Sequence, residues 1–166
     1  MSNTSIDTID LVALANYQHE ETILRFTDAF ALSEEEAEDV FHEMKKLLAL
    51  MVRYPEEYVF THEPLWVLDE MWHTFLMYTA DYADFCQRYF GRMVHHAPID
   101  RTQKLQVRQA LEDENEAVVA DVSAAVRRLY ELIYEYLGKD TLVKWIHGYG
   151  NKYTLAYMNE VRKPIV

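Results

Sequence analysis

Within residues 65–96 the sequence concentrates side chains able to ligate a metal: Asp69, His73, Cys86, His95 and His96. The stretch holds the single cysteine of the chain, three of its seven histidines and two of its three tryptophans, Trp66 and Trp72. Imidazole nitrogen with a thiolate sulfur and a carboxylate is a donor set that suits zinc, and next to it ferrous iron. A straight helix would hold His73 and Cys86 about 20 Å apart at roughly 1.5 Å per residue, too far to share an ion. The chain must therefore turn back between them.

The turn signals are local. Pro64 suits the first position of a helix, the apolar pattern runs to Tyr78, and Thr79 followed by Ala80 and Asp81 reads as a new N-cap. The second helix runs to Phe90 and stops at Gly91. The two helices form an antiparallel hairpin in which His73 and Cys86 come level, and the Gly91 turn can send His95 or His96 back toward them.

Asp69, Trp72, His73, Tyr82, Cys86, Gly91 and His95 are spaced D-x-x-W-H and then Y-x-x-x-C-x-x-x-x-G-x-x-x-H. This pattern resembles the signature of the glycine-rich domain-containing protein family, plant proteins with short bacterial relatives of unknown function. The resemblance spans residues 54–98, and it implies one site made of Asp69, His73, Cys86 and His95, with His96 a bystander. The chain departs from the plant pattern at Phe75, where a second histidine would follow Trp72–His73, and in having four glycines overall.

Other constellations offer different chemistry. Asp39/His42 and Glu70/His73 have the i, i+3 carboxylate–histidine spacing that di-iron carboxylate bundles place on two helices, with Glu20, Glu21, Glu131 or Glu135 to complete the set. Cys86 as a nucleophile fits poorly, since mid-helix it lacks the dipole that lowers a thiol pKa at a helix N-terminus. His147, near Trp145 and Tyr149, could complete the site from the C-terminal segment but reads first as a residue of an ordinary surface loop. No glycine-rich phosphate loop, G-x-S-x-G elbow or H-E-x-x-H pair occurs.

The remaining elements follow the apolar periodicity. Ile6, Ile9, Val12 and Ala13 mark a short amphipathic helix, and residues 19–30 a second. Ser33 with Glu36 makes a capping box ahead of the clearest helix, with Val40, Phe41, Met44, Leu47, Leu48 and Met51 on its inner face. Tyr54-Pro55 ends it, and a loop leads to Glu63. Beyond the hairpin, His96-Ala97-Pro98 is a connector. Leu105, Leu111, Val118, Val119, Val122, Val126, Leu129, Ile133 and Leu137 fit one long helix or two, closed by Gly138. Asp140 caps a short helix reaching His147, and residues 153–161 are weakly helical.

These readings make the chain an all-α, single-domain helical bundle organised around the hairpin: N-terminal helices in 1–53, the motif hairpin in 64–96 and C-terminal helices in 101–161. At 166 residues, half of them hydrophobic, it can bury a sizeable core. Its net charge of −12 excludes nucleic acid and anionic membranes as main partners, because both reward a basic face. The expected partner is a protein or a small molecule. One cysteine, no run of 18 apolar residues and no signal-like N-terminus give a cytoplasmic expectation. The expected function is that of a metal-binding protein, zinc first and iron second, either a structural or partner-binding module closed by four ligands or a metal-dependent enzyme with an open position.

Overall fold

The computed structural model describes residues 9–57, 62–96 and 101–164, with the side chains of Gln103 and Lys104 left aside. The described residues form helices: α1 (Leu11–Ala15), α2 (Glu20–Ala29), α3 (Glu34–Arg53), a 3-10 turn (Glu63–Leu65), α4 (Trp66–Leu76), α5 (Thr79–Phe90), α6 (Arg101–Glu112), α7 (Glu116–Leu137), α8 (Lys139–Val143), a π-helical turn (Lys144–Tyr149), α9 (Gly150–Lys152) and α10 (Leu155–Val161). The fold is all-α. Among the described residues the one extended pairing is an isolated bridge between Phe30 and Arg162, which ties the end of α10 to the end of α2.

α3 is the axis of the fold because it is buried on most of its circumference. The expected capping box is present: Ser33 Oγ accepts from the Glu36 N–H at 3.2 Å, and Glu36 Oε2 accepts from the Ser33 N–H at 2.8 Å. Val40, Phe41, Met44, Leu47, Leu48 and Leu50 are all fully buried, while Met51 is half-buried. At about 1.5–3 kcal/mol for each large apolar side chain taken out of water, this one helix supplies a leading share of the driving force. α1, α2, α4 and α7 pack around it.

The hairpin forms as expected, with its break one residue earlier. Tyr78 is the N-cap of α5 and makes no side-chain cap bond, and Thr79 is already helical. Gly91 ends α5 in the left-handed region at φ 66°, a conformation that favours glycine. α4 and α5 are joined through Phe75, whose ring meets Tyr82 and Phe85 edge-on at 5.3 and 5.4 Å.

Of the two readings open for the apolar series from Leu105, the structure takes two helices, because Asn115 caps α7 through the Val118 N–H and Glu114 takes φ 53°. Leu105, Leu111 and Val119 are 39–52% exposed, since α6 packs chiefly on α7 rather than on the core. Asp140 is no cap: α8 starts from Gly138 at φ 88°, and the helical path runs on through Gly148 and Gly150 by widening into the π-turn. Ile6, Ala97 and Pro98 lie outside the described residues. No helix among the described residues is long and apolar enough to cross a membrane.

Candidate metal centre

Helical geometry makes the first half of the centre. Asp69 and His73 are four residues apart on α4 and therefore share a face, while Val67, Leu68, Met71, Trp72 and Phe75 turn inward and are buried. The His73 Nδ1 lies 3.7 Å from Asp69 Oδ2.

The second half arrives from the segment after Gly91. Trp72 Nε1 donates to the Tyr82 hydroxyl at 3.0 Å, and that hydroxyl donates to the Val94 carbonyl at 2.6 Å. Arg92 Nη2 adds a bond to the Val52 carbonyl at 3.2 Å. This chain fixes Val94 in the core and delivers His96 onto α4. His96 Nε2 sits 3.2 Å from Asp69 Oδ1, and its ring lies 4.5 Å from Trp72 and 4.4 Å from His73. Asp69, His73 and His96 each offer one ligand atom, and the three atoms lie within 4.8 Å of one another. Side-chain exposure is 13% for Asp69, 19% for His96 and 47% for His73, so the cluster opens to solvent on the His73 side.

Of the four expected ligands, Asp69 and His73 are brought together and two are not. His95 is exposed and stands outside the cluster, and His96 takes its place. The reason is the alternation of an irregular, near-extended segment: Met93 and His95 are exposed, whereas Val94 and His96 turn toward the protein. Val94 was the available signal, since the apolar residue fixes which of the two histidines shares its side. Cys86 also stands apart. It is fully buried, and burial pushes its thiol pKa up, opposed in part by hydrogen bonds with the Val94 backbone and the Tyr82 side chain. The same burial leaves it unsuited to act as a nucleophile.

The di-iron set does not assemble. Asp39 is held by Lys144 Nζ at 2.5 Å and by the Tyr149 hydroxyl at 2.6 Å. Glu70 is paired with Arg162 at 2.9 Å, and Glu131 with Arg128 at 3.6 Å. His42 is half-buried on α3, its pKa lowered by burial and by the neighbouring Lys46. His147 is exposed on the π-turn.

The fold and this cluster define a small all-α protein with a carboxylate–imidazole centre at the exit of a helical hairpin. A family model for UCP032817-like proteins matches residues 11–121, about two thirds of the chain, and the chain belongs to that family. This match overturns the resemblance to the glycine-rich domain-containing proteins: the hairpin lies wholly inside the UCP032817-like region. No curated protein and no solved structure matches the chain.

Proposed function

We propose that this protein binds a divalent transition metal, zinc in the first instance and ferrous iron in the second, through Asp69, His73 and His96. The observation that carries the reading is the convergence of two imidazoles and one carboxylate from separate segments to within 4.8 Å. Two histidines and a carboxylate form the ligand set of several catalytic zinc sites and of non-haem ferrous centres. Ligands about 2.1 Å from a tetrahedral ion stand roughly 3.3 Å apart, so small side-chain rotations complete the geometry.

With three protein ligands instead of four, the centre is no closed structural module and keeps an exchangeable position on the exposed His73 side. A zinc ion bound there would lower the pKa of a coordinated water to about 7 and polarise a small-molecule substrate. Asp69 has an oxygen facing each histidine, which sets the three ligand atoms around one point, and the Trp72 ring packs against His96. The reading includes a cytoplasmic location, supported by the lone cysteine kept as a buried thiol.

The test is zinc titration of the metal-stripped chain by calorimetry, with cobalt absorption as a report on geometry. One ion per chain is expected, with affinity falling about 10-fold or more in His73→Ala, His96→Ala and Asp69→Ala and holding in His95→Ala and Cys86→Ser. A folded protein that takes up neither ion at micromolar concentration would end the proposal and leave the three side chains as a hydrogen-bonded cap on the hairpin.

A further inference from the structure

A cavity between α1, α3 and the end of α7 shares no residue with the metal centre. α1 is only five residues long, and its Val12 and Leu14 carbonyls accept from the Asn16 and Tyr17 N–H groups that follow it. Lys45 on α3 takes the carbonyls at and beyond its end: its Nζ donates to the Ala15 carbonyl at 2.9 Å and to the Tyr17 carbonyl through a shorter bond. Lys45 is 1% exposed, and among the described residues no carboxylate pairs with it. Burial, followed by the nearby Lys46, lowers its pKa to about 8.

The surrounding charges do not repair this. Glu43 is bonded to Lys46 at 2.9 Å, and Lys144 bridges Glu43 and Asp39. Two carboxylates thus meet two lysines, and Lys45 is a cation in excess within a chain whose net charge is −12. Of the three donors an ammonium carries, two go to these carbonyls, and the charge also lies 5.4 Å over the Phe41 ring, so its partners are neutral groups and no carboxylate.

Lys45, Lys46 and His42 line a cavity of about 90 Å³, with Ala15 in the wall beside Lys45. The rest of that wall is largely apolar: Leu11 and Leu14 from α1 and Leu137 from the end of α7, next to Thr141. At about 30 Å³ per liquid water the space equals roughly three waters. The lining combines basic side chains with hydrocarbon.

We propose that this cavity binds a small aliphatic monocarboxylate, its carboxylate on Lys45, Lys46 and His42 and its alkyl chain against Leu11, Leu14 and Leu137. The ligand supplies the counter-charge that the fold withholds from Lys45, by charge-assisted hydrogen bonds in a partly desolvated setting. Its size is about two to four carbons, set by the cavity volume. The surplus positive charge and the leucines must act together, which separates this class from inorganic anions.

The experiment is an amide-resolved NMR titration of the full chain with sodium butyrate at fixed ionic strength, with acetate, inorganic phosphate and chloride as parallel probes. Saturable shifts centred on Ala15, His42 and Thr141 are expected, with Kd on the order of 1 mM. Butyrate should bind severalfold tighter than acetate, and phosphate should bind weakest. His42→Gln should weaken butyrate about fivefold, and Ala15→Leu, which fills the cavity without altering any charge, should abolish the saturable response. Lys45→Met should abolish it as well, and circular dichroism will tell whether α1 still docks in that variant. Linear shifts matched by chloride, equal response to all four anions, or undiminished butyrate binding in Ala15→Leu would overturn the proposal.

Discussion

Two acidic clusters on neighbouring helices start from similar sequence and end in opposite states. On α3, Asp39 and Glu43 stand one turn apart; on α4, Asp69 and His73 do the same. The α3 pair is closed. Glu43, 2% exposed, accepts from Lys46 and Lys144 and from Trp145 Nε1 at 2.8 Å, while Asp39 accepts from Lys144 and Tyr149. The α4 cluster has imidazoles for partners and an open side. Permanent cations spend a carboxylate on structure, whereas imidazoles can give up a proton and accept an ion instead. A carboxylate–histidine spacing on a helix therefore stays available to an ion only where no lysine or arginine reaches it first.

The closed cluster also explains the π-turn at Lys144–Tyr149. Lys144, Trp145 and Tyr149 all bond to α3, and Gly150 follows so closely on Pro64 that an added Cβ would lie 3.3 Å from the proline Cβ. The wider turn lets the three side chains reach one helix together.

The contrast can be broken most sharply at Glu43. Glu43→Ala leaves donors on Lys46 and Trp145 unpaired, with Lys144 held by Asp39 alone, and should cost about 3 kcal/mol, read from urea unfolding. A loss below about 1 kcal/mol would show that the closed cluster is not structural. Asp69→Ala should do the reverse, costing less than about 1 kcal/mol in the metal-free protein while reducing zinc affinity 10-fold or more. If stability and zinc binding fall together in Asp69→Ala, the two clusters are alike.

A finer test uses acid. Burial raises the carboxyl pKa of both Asp39 and Glu43, but hydrogen bonds from Lys144 and Tyr149 to Asp39, and from Lys46 and Lys144 to Glu43, more than offset it and hold both below their ordinary values. The folded state thus binds protons less readily than the unfolded chain. The stabilisation is fully present above the ordinary carboxylate range near pH 4 and is lost as pH falls through the lower folded values. Glu43→Gln should flatten the fall in stability below about pH 4.5, measured by thermal melts across the acid range; an unchanged slope would contradict the account. The smallest effect is expected from Tyr149→Phe, about 1 kcal/mol for one hydroxyl on Asp39, with zinc binding unchanged.

Much of α3 and of the hairpin was legible because the signals are short-range. The Ser33–Glu36 box, the Gly91 stop, the inner face of α3 and the Asp69–His73 pair each depend on residues within about one helical turn, where spacing dictates geometry. Trp72, Tyr82 and Cys86, read from the sequence as parts of a site motif, serve packing: Trp72 and Tyr82 form the relay to Val94, and Cys86 is buried beside it. Nothing in their spacing distinguishes that role, which depends on where the segment after Gly91 comes to rest.

The sequence by itself determined the helical class, most helix boundaries and the chemistry on offer at each helix face, because these follow from periodicity and capping over three or four residues. Tertiary structure alone decided which groups meet. It brought Lys144 to Asp39 across 105 positions, selected His96 over His95, buried Cys86 and left Lys45 without a counter-ion. Those outcomes depend on how distant helices dock. Docking is set by the summed burial of many apolar side chains, and no local pattern records it.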